Sequence, residues 1–155
     1  MKYSMDTSSL IQGFRALYPY ENFPTLWNVH LPGLIASGDL RATEEVRVEL
    51  ERQDDELLAW IVEYADQLFV EIDGPIQQEV RTILGAHPKL VHVGRNRSGA
   101  DPFVIALARL NSCTVVTEEG SGSITKPKIP DVCAAYSIPS IKLIELIREQ
   151  GWMFA

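Results

Sequence analysis

Four acidic side chains stand where an α/β protein would place its chemistry. Asp6 directly follows the strand-like residues 2–5, Glu49 lies in the helix-forming run 44–50, Asp101 opens an apolar helix, and Glu119 ends the β-branched run 113–117. Asp131 is a fifth. In an open α/β sheet, ligands bind outside the carboxyl ends of the strands, so acids that follow strands point toward the site. Singly, each has a structural use: Asp6 and Asp101 as helix N-caps, Glu49 on a solvated helix face, Glu119 and Asp131 as loop residues. Together they describe a different object. Two carboxylates about 4 Å apart repel by about 4 kcal/mol at an effective dielectric of about 20, so a fold that gathers several needs a cation. Oxygen-only ligands suit Mg²⁺ or Mn²⁺, and such a site can activate water and stabilise the leaving oxygen in phosphodiester hydrolysis.

Other chemistries fit less well. An aspartyl-nucleophile phosphatase would carry a second Asp two residues after the first, where this chain has Ser8. Cys113 and Cys133 lie in apolar contexts with no histidine nearby, which predicts two buried thiols rather than a zinc site or a disulfide. Of the histidines, His30, His87 and His92, the last two are separated by Pro88, which breaks any helix that could align them. Net charge is -7, which argues against a surface that grips nucleic acid everywhere, since that affinity comes from Lys and Arg on phosphates. A local basic rim remains available. Arg95 and Arg97 precede Asp101, and Lys126 and Lys128 follow Glu118 and Glu119. Arg95 and Arg97 are therefore candidates to hold a substrate phosphate beside the acids.

These residues need a frame to position them. The first helix is expected over residues 8–17, then an aromatic loop closed by Pro24, then a second helix that Pro32 must kink or interrupt. Residues 40–42 read as a very short strand, and Thr43 with Glu44 and Glu45 as the start of a third helix. Asp54 and Asp55 start an amphipathic helix through Ala65, residues 68–72 read as extended, and Pro75 opens a helix that Gly85 closes. Residues 89–93 read as β-like. Asp101 as N-cap with Pro102 at N1 then begins a helix that is apolar on nearly every face. Residues 113–117 read as a parallel strand covered on both sides. After a polar loop, residues 131–136 suggest one helical turn, and a closing helix carries Ile141, Ile144 and Ile147 up to Gly151. Strands alternating with helices imply a mostly parallel central sheet in a three-layer α/β/α arrangement.

The totals agree with one domain spanning residues 1–155. A composition of 46% hydrophobic and 23% charged residues is that of a soluble globular protein, and no apolar run approaches the ~18 residues of a membrane span. No signal-peptide h-region follows Lys2, so the expectation is a cytoplasmic protein with no membrane partner.

The motifs also resemble a family. Asp6-Thr7-Ser8 after the first strand, the run from Glu44 to Leu50, the run from Asp101 to Ala108, and Val115-Val116-Thr117-Glu118-Glu119 together resemble the motifs of PIN-domain nucleases across nearly the whole chain. The resemblance is closest to a PIN-like group of unknown function in which a Val-x-x-Glu-Leu run and an Asp-Glu-Leu-x-x-Trp segment recur, here at Val46 to Leu50 and Asp55 to Trp60. It implies Asp6, Glu49 and Asp101 as metal-binding acids, with Glu49 preferred over Glu44 and Glu45, and with Thr7 and Thr117 as polar residues at the site. The fourth acid is Glu119, where the family usually has Asp, or else Asp131. The implied reaction is Mg²⁺- or Mn²⁺-dependent hydrolysis of RNA, with metal-bound water attacking phosphorus to leave a 5′-phosphate and a 3′-hydroxyl. Small PIN proteins of this kind are often toxins held inactive by an antitoxin protein, and often homodimers. The competing reading is a PIN-like module that has kept its acids but binds or regulates without cutting.

Overall fold

A computed structural model describes residues 1–52, 56–91 and 99–154. Five short strands form a parallel sheet: β1 (Tyr3–Met5), β2 (Leu40–Thr43), β3 (Phe69–Val70), β4 (Thr114–Val116) and β5 (Ser140–Ile141), in the order β3-β2-β1-β4-β5. The helices are α1 (Thr7–Gln12), α2 (Leu31–Ser37), α3 (Glu44–Glu51), α4 (Glu56–Leu68), α5 (Gly74–Ala86), α6 (Asp101–Asn111), α7 (Ile129–Ala135) and α8 (Leu143–Gln150). They complete the expected three-layer α/β/α architecture.

The strand order decides where a site can form. The chain builds outward from β1 through β2 to β3, then returns to the other side of β1 for β4 and β5. A crevice therefore opens between β1 and β4 at their carboxyl ends, the topological switch point of an open α/β sheet. Asp6 leaves β1 there and Thr117 leaves β4. The Asp6 N–H donates to the Val116 carbonyl at 2.9 Å, so the two chain exits are held side by side.

The central strands are buried on both faces, β1 throughout and β4 at Val115 and Val116. Ser4, fully buried in β1, is satisfied by donating its hydroxyl to the Val104 carbonyl of α6 at 2.8 Å. That helix carries Val104, Ile105, Ala106 and Ala108 with no exposed surface, against the sheet as the sequence predicts. Burying a Val or Ile side chain is worth about 1.5–3 kcal/mol, so α6 fixes the crevice floor firmly.

Several expectations are corrected. The first helix is α-helical only to Gln12 and continues as a π-helical turn, Gly13–Leu17. A second π-helical turn, Leu26–His30, runs into α2, with Pro32 in the first turn of α2, where its missing N–H is not needed. Extended structure after α4 is confined to β3, because Leu68 completes the helix. In place of a strand at residues 89–93, Pro88–Leu90 is a 3₁₀ turn closed by the Leu90 N–H on the His87 carbonyl at 3.1 Å; His92 and Val93 lie outside the described residues. The proline fixes the φ angle and removes a ladder donor, which favours the turn. The N-cap of α6 is Ala100, whose carbonyl accepts from Phe103 and Val104 at 3.0 Å each, so Asp101 is the first helical residue and not the cap. The helix α7 begins two residues earlier than expected, at Ile129. Ile141 belongs to β5 rather than to the closing helix, which starts at Leu143. Two residues are too few to show a strand period. The Asp54 and Asp55 helix start lies outside the described residues.

Candidate functional site

Asp6 sits at the N-cap of α1, but its side chain makes no capping bond of good geometry. Its Oδ2 accepts instead from Ser8 Oγ at 2.6 Å and from Thr117 Oγ1 at 2.8 Å. Each hydroxyl has one proton, already given to Asp6, so the 3.2 Å approach of Ser8 Oγ to Thr117 Oγ1 is a shared approach to one carboxylate oxygen and not a third bond. The same oxygens accept on their other side: Ser8 Oγ from the Glu118 N–H at 3.0 Å, and Thr117 Oγ1 from the Glu119 N–H at 3.1 Å. Two strand exits, 111 residues apart in sequence, are thus knitted around one buried carboxylate. Ser8, which the sequence offered as part of the Asp6-Thr7-Ser8 motif but without a role at the site, is a full member of this network.

Thr7, next along α1, donates to Glu49 Oε1 on α3 at 2.7 Å. That contact ties Glu49 to the start of α1 beside Asp6. Burial raises the pKa of Asp6, against the Ser8 and Thr117 hydroxyls and the nearby N–H groups of Thr7 and Ser8, which favour its charged form. Burial also raises Glu49, with the Thr7 bond opposing and the charge of Asp6 adding to the rise. For Glu119 burial again leads, followed by repulsion from Asp6; the Ile129 N–H and Lys128 oppose it, and Glu49 adds a further push. Glu49 and Glu119 therefore both feel the charge of Asp6, and Glu119 that of Glu49 as well.

Asp101 is buried at 5% exposure, at the start of α6. Asp131 is placed differently. Its Oδ2 accepts from the N–H groups of Gly122 at 2.7 Å and Lys128 at 2.8 Å, so it braces the loop before α7. Glu119 lies where the charges of Asp6 and Glu49 reach it, and its Oε2 accepts from the Ile129 N–H at 3.1 Å. Its neighbour Glu118 accepts from the Leu143 N–H at 2.9 Å and so caps α8. Burial raises the Tyr18 phenol, with the charge of Glu118 adding and Arg148 opposing, which brings an aromatic ring and a cation near the β4 edge of the crevice. Thr43, at the carboxyl end of β2, buries its Oγ1 with no partner among the described residues. Arg95 and Arg97 lie outside the described residues.

The donor set of the crevice is all oxygen, which is the chemistry of a hard divalent cation, and mutual repulsion among its acids is what such an ion would relieve. Among the described residues, however, no three acids, histidines or cysteines form a group that could hold an ion as they stand. Protein donors hold each carboxylate in place, and an ion would have to draw them inward.

Residues 3–154 match the family described as Domain of unknown function (DUF4411). The chain belongs to that family. No curated protein matches it. Among solved structures it is similar to VapBC2 from Rickettsia felis, in a structure bound to a DNA fragment from their promoter. Identity there is 12% and the TM-score 0.52, covering 92% of this chain and 98% of that one. It is also similar to FitAcB from Neisseria gonorrhoeae, at 17% identity and a TM-score of 0.49, covering 90% and 96%. The first likeness carries the fold, which is PIN-like, as the acid motifs imply.

Proposed function

We propose that this DUF4411 protein is a metal-dependent ribonuclease whose crevice acids, Asp6, Glu49, Asp101 and Glu119, hold Mg²⁺ or Mn²⁺. The observation that carries this reading is the convergence of Asp6, Glu49 and Glu119 at the switch point of a PIN-like sheet, each with its pKa raised by burial. When bound, the ion supplies Lewis acidity toward a phosphodiester and lowers the pKa of water. The chain's own residues do the rest. Ser8 and Thr117 orient the Asp6 carboxylate and Thr7 orients Glu49; in this reading Asp101, buried at the start of α6, completes the set. Arg95 and Arg97 hold the substrate phosphate. No protein nucleophile is required. On the family resemblance, the protein acts as the toxin of a toxin–antitoxin pair, in the cytoplasm, as a homodimer bound by an antitoxin protein. No helix among the described residues is long and apolar enough to cross a membrane.

The test is cleavage of a mixed panel of labelled RNAs with Mn²⁺, with Mg²⁺ and with EDTA, alongside Asp6→Asn and Asp101→Asn. Asn keeps the size of the acid and removes its charge. The proposal expects metal-dependent cutting that both variants lose. One observation favours the rival reading of a non-catalytic PIN-like binding module: the crevice acids are held by protein donors and form no ready three-ligand group. No cutting by the wild type under any metal condition would move the assignment to that module.

A further inference from the structure

A second concave surface lies between α4 and the aromatic turn before α2, and it shares no residue with the acid crevice. This groove encloses about 320 Å³. Its floor is Phe14 and Trp60, 8% and 5% exposed, and half-buried Tyr20 forms a wall. The rings belong to one packed set: Phe14 lies 5.7 Å from Tyr20 and meets Trp27 edge-on at 4.9 Å, and Trp27 meets Trp60 edge-on at 5.3 Å. The floor is therefore rigid. Glu56 and Glu63 stand on the rim, both exposed and two helical turns apart on one face of α4. Neither is in an ion pair among the described residues, and neither Lys nor Arg lines the groove.

Among the described residues most hydrogen-bond donors of the lining are engaged, the Tyr20 hydroxyl on Asn28 Oδ1 at 3.1 Å among them, which leaves one N–H of the Asn28 amide. Trp60 Nε1–H donates to the Trp27 carbonyl at 2.6 Å, and Asn28 Nδ2 donates to the Tyr20 hydroxyl at 2.9 Å. What the groove still offers is mainly ring surface and carboxylate oxygens. A complementary group must bring N–H donors, positive charge and a flat or apolar body. Phosphate is excluded by the same two carboxylates.

We propose that this groove binds an arginine side chain presented by a partner protein. The guanidinium fits better than an ammonium because it stacks on aromatic rings, is weakly hydrated and can bridge carboxylates with a planar fork of donors. The methylene stem takes the apolar floor. This assignment does not depend on whether the crevice acids cleave RNA.

The experiment is a titration of the full chain with N-acetyl-arginine amide, followed by NMR at the Trp60 indole N–H, with N-acetyl-norleucine amide as the uncharged probe of similar length. The expected result is a saturable Trp60 shift with the arginine probe, none with norleucine, and an affinity roughly tenfold lower in Glu56→Gln/Glu63→Gln, the loss of one charged contact. Both substitutions are on exposed positions, and the remaining resonances report whether the variant is folded. Three results would each overturn the proposal: an equal response to norleucine, unchanged affinity in the double variant, or no saturable response to arginine.

Discussion

Asp6 is costly to bury, and the residues around it show how the cost is offset. Ser8 and Thr117 donate to one of its oxygens and lower a pKa that burial raises. Replacing Thr117 with Val removes one donor, so the Asp6 pKa should rise further. The acid limb of the cleavage pH profile should then move to higher pH, which a rate profile in Mn²⁺ would show; an unmoved limb would remove Thr117 from its orienting role. A stability prediction follows from Glu49 and Glu119. Their folded pKa values lie above the unfolded ones, so the stability they confer is fully present below the unfolded values and is lost as pH rises through the folded values. Metal-free protein should therefore melt at lower temperature at pH 7.5 than at pH 5. Glu49→Gln should recover a few degrees at pH 7.5 and progressively less as pH falls toward the unfolded value, as scanning calorimetry in EDTA would measure. Asp6, Asp101 and Thr117 drew attention in the sequence because each sits at a recognisable strand end or helix start, whereas Glu49, inside α3, was singled out by the family resemblance. The role of Ser8 was not legible, since it exists only once Thr117 is brought beside it from 109 residues away.

The elements after β4 show how helix ends tie the crevice together. Glu118 accepts from the first N–H of α8 and Glu119 from the first N–H of α7, so two adjacent acids anchor two helices. In the sequence they read as one acidic pair; their division of labour depends on where α7 and α8 return. Glu118→Ala should cost about 1 kcal/mol, the usual loss of a capping acceptor, and Glu118→Gln much less, by urea unfolding. The loop from β4 to α7 depends on Gly122, where an added Cβ would stand 2.1 Å from the Lys126 carbonyl oxygen. Gly122→Ala must therefore move backbone and disturb the Asp131 brace, with an expected loss of about 1–3 kcal/mol in the same assay. The long helices were legible because their apolar periods run over several turns; α4 and α5 are examples. The strand β5 was not, because two residues show no alternation and its pairing is decided by the Pro139 carbonyl, which accepts from the Val115 N–H at 2.9 Å. The π-helical turns before α2 escaped for a related reason: tertiary packing around Trp27 selects them over the helix that local pattern suggests.

At the scale of the molecule, the parallel order β3-β2-β1-β4-β5 sets the carboxyl ends of β1 and β4 side by side, and with them Asp6 and Thr117. Alternating strands and helices made the class readable in the sequence, but the side of β1 on which each strand lands was not. The same packing isolates the two thiols. Burial pushes Cys113 up to about 11 and Cys133 to about 12, so both should resist alkylation by iodoacetamide at pH 8 until the protein is unfolded. With a net charge of -7, nucleic-acid affinity must come from a local basic rim. Arg95→Ala/Arg97→Ala should weaken RNA binding and flatten its dependence on salt, and an unchanged slope in a filter-binding series would exclude both arginines. The central claim is that the crevice acids hold a divalent cation. Its most direct test is calorimetric titration of Mn²⁺ into wild type and Asp6→Asn at pH 5.5 and pH 7.5. The account predicts binding that strengthens with pH, releases protons from the raised carboxyls and is lost in Asp6→Asn. Absence of Mn²⁺ binding at both pH values, or binding that Asp6→Asn leaves intact, would contradict it.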